Sequence, residues 1–271
     1  MLDNIRIIVV TPAGRKKYLE ILFKYIGRLR PIVDEYRLWV NTENKADINY
    51  MIDFQKANKD YVSLDYLPKG VKVNGNKTIN YFFKRCTNQR TIYVRFDDDI
   101  VYIDDIEKFK QFLLFRLNNP KYFLVYGNII NNAICSHLHQ LNGALGGELV
   151  KYNCFDEVGW KDGNFAKSIH YKVFENFNDL SSFRMKNLLL NNFERVSINC
   201  ISWNGDCFRK FSGNVLGDEE KYISCEKPRE MNLKNIIYGD FLCIHYAFFT
   251  QREIVDKDIV ILSTYKQKSL N

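Results

Sequence analysis

Three consecutive carboxylates, Asp97-Asp98-Asp99, interrupt the apolar run YVRFDDDIVYI at residues 93–103. Adjacent carboxylates repel one another, so the arrangement is costly unless a cation or strong donors lie beside it. Hard oxygen ligands of this kind favour Mg2+ or Mn2+, shared with substrate phosphates and water. The plain structural reading is a solvated acidic turn, or an N-cap in which Asp104 and Asp105 begin a helix. Apolar flanks on both sides argue for an enclosed position instead. The D-x-D-x-D-G spacing of a calcium-binding loop is missing.

A second acidic triplet, Asp218-Glu219-Glu220, follows Gly213 and Gly217 in a polar stretch. A carboxylate there suits removal of a proton from a hydroxyl nucleophile, a role worth roughly 10²–10⁴-fold in rate. The competing reading is the acidic first turn of a helix. Arg15, Lys16 and Lys17 follow Thr11-Pro12-Ala13-Gly14 and open a helical pattern. Cations at that end oppose the helix dipole, and a bound diphosphate would resolve the conflict. Arg95 stands two residues before Asp97, as a partner for the acidic cluster or for a bound donor. His245 lies inside the apolar run FLCIHYAFF, as a core histidine or a metal ligand. His137 and His139 have chelating spacing but no Cys or acidic neighbours, and His170 lies in a helical pattern; all three read as structural. Trp160, Trp203 and Tyr238 read as core residues able to stack on sugars.

These residues are carried by alternating elements. Strand-like runs rich in Ile, Val, Tyr and Phe occur at Ile5–Val10, Tyr36–Val40, Tyr61–Tyr66, Thr91–Phe96, Tyr122–Tyr126, Val196–Ile201 and Ile236–Ile244. Helical spacing of apolar residues marks Arg15–Leu29 and Glu107–Leu117, with Phe165–Phe177 and Leu180–Asn191 as further helices. Alternation of this kind predicts an α/β fold with a mostly parallel central sheet flanked by helices. Ligands of such sheets bind outside the carboxyl ends of the strands, where Asp97–Asp99 fall. With no repeat, low-complexity tract or Pro/Gly/Ser-rich linker, residues 1–271 read as one domain.

Asp97-x-Asp99 after a strand resembles the D-x-D motif of GT-A glycosyltransferases. The order of other segments is similar to that family: IIVVTPAGR as the first strand and loop, WVNT as the second strand end, GDEEKY on the acceptor side, and YGDFLCIHYAFFTQR as the closing strand. The resemblance implies a GT-A-like, Rossmann-like fold with residues 1–130 binding a nucleotide-sugar, UDP-linked in preference, and 131–271 binding the acceptor. It implies Mn2+ or Mg2+ on Asp97, Asp99 and His245, and donor contacts from Thr11, Pro12, Gly14, Arg15, Asn41, Thr42, Arg95, Asp97 and Asp98. The base is Asp218 in preference, then Glu219, for an inverting direct displacement. The acceptor is a glycan, a lipid-linked sugar or a protein. Two other readings stay open: a nucleotidyltransferase that makes the nucleotide-sugar, and a non-catalytic carbohydrate- or nucleotide-binding protein.

The bulk composition is compatible with this reading. A net charge of +7 without any dense Lys/Arg block does not suggest nucleic acid. Seven cysteines with irregular spacing and no C-x-x-C argue against a disulfide framework or zinc site and for a reducing compartment. No apolar stretch approaches the ~20 residues of a membrane span, and the N-terminal run reads as a strand rather than a signal peptide. The expectation is a soluble, cytoplasmic protein with at most peripheral membrane contact.

Overall fold

The computed structural model describes residues 4–270. The first half runs β1 (Arg6–Ala13), α1 (Lys16–Leu29), β2 (Glu35–Val40), α2 (Lys45–Ala57), β3 (Val62–Tyr66), α3 (Asn76–Phe83) and β4 (Thr91–Phe96). β5 (Ile100–Ile103), α4 (Ile106–Asn118), β6 (Tyr122–Ile130), α5 (Ala133–Leu141) and α6 (Gly163–Glu175) follow. The chain ends with β7 (Leu188–Leu190), β8 (Cys200–Asn204), α7 (Gly205–Arg209), α8 (Glu219–Lys221), α9 (Lys227–Glu230), β9 (Lys234–His245), α10 (Arg252–Val255) and α11 (Ile259–Lys268).

All nine strands form one sheet in the order β3-β2-β1-β4-β8-β6-β9-β5, with β7 added on β9. β1 to β4 are mutually parallel, as are β6 and β9; β8 runs antiparallel between β4 and β6. This is the expected α/β architecture, a mixed and mostly parallel sheet in a single domain. β1 and β4 are buried almost end to end, because helices cover both faces of a central parallel strand. α1 turns Tyr18, Leu22, Ile26 and Leu29 onto the sheet, as its three-and-four spacing requires. The residues before and after 130 share this sheet: β8, from the second half, is the strand that joins β4 to β6.

Two expected elements differ. Leu180–Asn191 is not a helix; a single 3-10 turn at Ser181–Phe183 leads into β7. The edge of β9 captures this segment, pairing Leu189 with Ile236, and Gly239 admits the Met185 carbonyl where any Cβ would collide with it. The strand expected at Val196–Ile201 begins only at Cys200. Residues 196–199 instead pass beside the acidic turn, where the Asn199 carbonyl accepts from the Asp97 amide at 2.9 Å.

Candidate active site

The turn between β4 and β5 holds Asp97, Asp98 and Asp99 at the C-terminal edge of β1–β4, with the Ile100 amide closing back on the Asp97 carbonyl at 3.1 Å. Each carboxylate has its own cationic partner. Asp97 pairs with Arg95 at 2.8 Å and accepts from Asn199 Nδ2 at 3.0 Å. Asp98 is gripped by the Arg15 guanidinium and accepts from the Gly14 amide at 3.0 Å. Oδ2 of Asp99 faces three groups: Arg252 at 2.7 Å, Arg15 at 3.1 Å and His245 Nε2 at 3.3 Å. The anion that the basic start of α1 calls for is therefore supplied by the chain itself, as Asp98. A Cβ at Gly14 would lie 3.2 Å from the Asn41 carbonyl, a tight contact that small local shifts must relieve.

Strand register brings His245 to Asp99. In the β5–β9 ladder Ile100 lies opposite His245, and the Tyr246 amide donates to the Asp99 carbonyl at 2.9 Å. His245 Nδ1 lies 3.0 Å from the Asn131 carbonyl, so it carries the proton and donates, and Nε2 is the nitrogen turned to Asp99. Asn131 adopts φ 63° to do this, a backbone conformation asparagine tolerates, and its Nδ2 is held by the His245 and Tyr246 carbonyls and Gln251. Burial alone would raise the Asp99 pKa, but Arg15 and His245 outweigh it and hold the group at about 2. Burial would lower that of His245, and Asp99 reverses the direction.

An Nε2 lone pair cannot face a carboxylate at 3.3 Å without a proton or cation between them. Adjacent ligands of an octahedral Mg2+ at about 2.0–2.1 Å stand about 2.9 Å apart. The Asp99–His245 separation is near that spacing, with His245 oriented from behind by its Nδ1–carbonyl bond, but Arg252 and Arg15 occupy the same Asp99 oxygen, so an ion there would have to displace them. Among the described residues, no group of three or more His, Cys, Asp or Glu is arranged to hold a metal. The expected third ligand, Asp97, is engaged by Arg95 and Asn199 instead.

The second triplet faces the same cavity. Gly217, at φ +59°, turns the chain into α8, and Asp218 caps that helix by accepting from the Lys221 amide at 3.0 Å. Asp218 also pairs with Arg195 at 2.8 Å, and Glu220 with Arg195 at 2.7 Å. Burial would raise the Asp218 pKa, but the Lys221 amide and Arg195 bring it below the ordinary value, which makes Asp218 a poor proton acceptor. Glu219 differs. It is buried, shares Arg95 with Asp97 at 3.3 Å, and its Oε2 has no hydrogen-bond partner. Burial pushes its carboxyl up to about 7; Arg95 opposes the shift and Asp97 adds to it.

One cavity of about 1080 Å³ joins these groups. Pro12, Gly14, Arg15, Asn41, Arg95, Asp97, Asp98, Asp99, Asp218, Glu219 and His245 all line it. Thr11 and Thr42 do not: Thr11 is buried and accepts from Tyr36 Oη at 3.1 Å, and Thr42 accepts from the Asn44 amide at 3.1 Å. Asn41 forms wall rather than a free contact, because its amide ties β2 to α3 through Gly75 and Thr78. Of the three aromatics considered for stacking, only Trp160 reaches the cavity; Trp203 is buried and Tyr238 packs on Phe115. His137, His139 and His170 make structural hydrogen bonds to Val150, Asn128 and Tyr265. A smaller cavity of about 320 Å³ lies at the opposite edge of the sheet, beside Arg90 and Asp206.

Sequence reasoning missed Arg252, Asn199, Asn131 and Arg195. Arg252 follows His245 by seven residues in the quoted closing stretch, a cation near a candidate ligand. Asn199 is a polar residue in a run read as strand. Asn131 and Arg195 carry no local signal, since their partners are distant in the chain.

No protein-family model matches the chain, and no curated protein sequence matches it. Solved structures do. A 4-diphosphocytidyl-2C-methyl-D-erythritol synthase from Anaerococcus prevotii aligns over 96% of this chain and 100% of its own, with a TM-score of 0.50 and 9% identity. What is shared is the fold. A mannose-6-phosphate isomerase from Helicobacter pylori overlaps on 46% of this chain and 51% of its own, at 16% identity and a TM-score of 0.34. Neither likeness extends to the D-x-D resemblance, which rests on the residues alone. Among the described residues no helix is long and apolar enough to cross a membrane.

Proposed function

We propose that this protein is a divalent-metal-dependent glycosyltransferase that moves a sugar from a nucleotide-sugar to a hydroxyl. The observation that supports this most is the pairing, in one cavity, of a proton-accepting Glu219 with the Asp99–His245 ligand pair. A hydroxyl nucleophile must lose a proton, whereas a phosphate nucleophile arrives already ionised and needs no base. In this reading the acceptor oxygen bonds to the anomeric carbon as the carbon–oxygen bond to the diphosphate breaks. The electron pair leaves with the nucleoside diphosphate, and the acceptor proton passes to Glu219. Asp218 keeps Arg195 and the start of α8 in place. Mn2+ or Mg2+, bound by Asp99 and His245, would supply Lewis-acid stabilisation of the leaving diphosphate, worth several kcal/mol. Arg252 lines the cavity beside Asp99, has an Nε with no hydrogen-bond partner, and would meet part of the remaining charge of a diphosphate. A UDP-sugar donor and a glycan, lipid-linked or protein acceptor belong to this reading, as does a cytoplasmic setting.

A second reading is favoured by the fold likeness: nucleotidyl transfer, the reaction class named for the Anaerococcus prevotii synthase. Taken alone, that likeness points here rather than to glycosyl transfer. Against it, triphosphate binding calls for a loop with free amides and cations. Here the Gly14 amide and Arg15 are engaged by Asp98.

A thermal-shift panel of UDP-, GDP-, CMP- and dTDP-sugars, each with Mn2+ and with EDTA, tests the proposal. Stabilisation by one nucleotide class that EDTA or Asp99→Asn removes is the expected result. Pyrophosphate release from a sugar phosphate and a nucleoside triphosphate would move the assignment to nucleotidyl transfer. Nucleotide-sugar binding with neither hydrolysis nor transfer would make the protein a binding protein.

A further inference from the structure

The cavity of about 1080 Å³ lies just above the range, about 300–1000 Å³, that serves one drug-sized ligand. Its walls are unlike each other. Asn41, Asn76, Lys77 and Asn80 form a polar wall on the β2–α3 side. Phe155, Trp160 and Phe249, with Phe248 linking Trp160 to His245, form an aromatic one. Phe155 is 42% exposed and Phe249 70%, so two large rings stand in water at the mouth of a charged site. Trp160 sits between them, edge to face with Phe155 at 5.1 Å and with Phe249 at 5.3 Å.

This wall is built rather than incidental. The Arg195 guanidinium lies 4.4 Å from the Phe155 ring centre while bound to Asp218 and Glu220. Asp156 caps the turn that carries Trp160, accepting from the Val158 and Gly159 amides at 2.9 and 2.8 Å. Thr250 Oγ1 donates to the Trp160 carbonyl at 2.5 Å, which ties the segment to the one bearing Phe249. Phe155 and Phe249 nevertheless keep large exposed surfaces, while Trp160 between them is partly exposed.

We infer that Phe155, Trp160 and Phe249 are the stacking platform for a pyranoside acceptor, whose hydroxyl they set toward Glu219. This rests on the transfer reading above. A pyranose offers a C–H face to aromatic rings and a hydroxyl edge to charged groups. The wall supplies both: exposed ring surface on Phe155 and Phe249, and beside Phe155 the Arg195 guanidinium with Asp218 and Glu220. A lipid chain would need the apolar surface to continue, and here it stops at those charges.

Saturation-transfer NMR on the full chain tests this, with methyl β-D-galactopyranoside and methyl β-D-glucopyranoside as probes, with and without UDP and Mn2+. The expected result is saturation of the sugar ring protons in the wild type. Phe155→Ala and Phe249→Ala should each weaken binding about 2- to 12-fold, and Phe249→Tyr should retain it. Nucleotide-sugar thermal shifts should be unchanged in all three variants, which also shows that they fold. Intact nucleotide shifts with no sugar saturation, or with saturation indifferent to the Ala variants, overturns the platform alone. Ring-dependent saturation of the uracil protons in place of the sugar also overturns it, because the wall would then hold the nucleobase. Sugar saturation that depends on the rings, without any nucleotide shift in the wild type, supports the platform and removes the transfer reading.

Discussion

The molecule carries two acidic triplets of the same length, and their surroundings differ. Asp97–Asp99 occupy a turn off a central strand, where Arg95, Arg15, Arg252 and His245 are distributed among three carboxylates. Asp218–Glu220 begin a short helix and share only Arg195 and Arg95. Asp99 and Glu219 are both buried, yet one is held at about 2 and the other pushed to about 7. The number of cations on each carboxylate explains the split. Three converge on Asp99 Oδ2, whereas Glu219 divides one guanidinium with Asp97 and leaves an oxygen bare. Burial is therefore overcome at Asp99, which stays ionised, and prevails at Glu219, whose carboxyl is raised.

Substitutions can break this contrast in order of size. Glu219→Gln should lower turnover about 10²–10⁴-fold while nucleotide-sugar binding persists. In the wild type, kcat/KM should climb with pH to about 7 and then level, because the base works only when ionised, and this limb should vanish in Glu219→Gln. A steady-state pH profile of both proteins checks the two expectations together. Arg95→Gln leaves buried Glu219 and half-buried Asp97 without their common cation and should cost about 3 kcal/mol in urea unfolding.

Acid should separate the triplets thermodynamically. The folded pKa of Asp99, about 2, lies below the ordinary 3.8, so its stabilisation is full above 3.8 and lost as pH falls toward 2. The amount is about 2 kcal/mol, and the stability gap between wild type and Asp99→Asn should narrow over that window. Glu219 has the reverse sign: its contribution is full below 4.5 and lost as pH rises through about 7. The smallest effect belongs to Asp218→Asn. Its side chain is 50% exposed, asparagine keeps the helix cap, and the lost ion pair is worth no more than about 1 kcal/mol. A loss of turnover in Asp218→Asn matching that of Glu219→Gln would return the base to Asp218 and erase the contrast.

The sheet was legible because its strands are continuous apolar runs, and the helix α1 because its apolar residues recur at three and four. The acidic turn was legible for the opposite reason, as a polar break between apolar flanks. Register was not. Nothing local says that Ile100 faces His245, which is what joins Asp99 to the imidazole, or that Arg195 reaches back to both Asp218 and Glu220. The helix expected at Leu180–Asn191 failed because pairing with β9 outweighed local spacing. The choice between Asp218 and Glu219 turned on burial and partners, which no motif encodes.

The antiparallel wedge of β8 between β4 and β6 also governs how the chain is made. β4 and β6 leave the ribosome early, yet the strand that bridges them ends at Asn204, about 70 residues after β6 is complete. At about 5–20 residues per second, those two sheet edges wait roughly 4–15 s for their partner. Through that interval the nascent chain presents open, apolar strand edges, the surface most inclined to pair with another copy. Synonymous codon changes that slow translation between codons 130 and 204 are thus expected to lower soluble yield while leaving the stability of the finished fold unchanged.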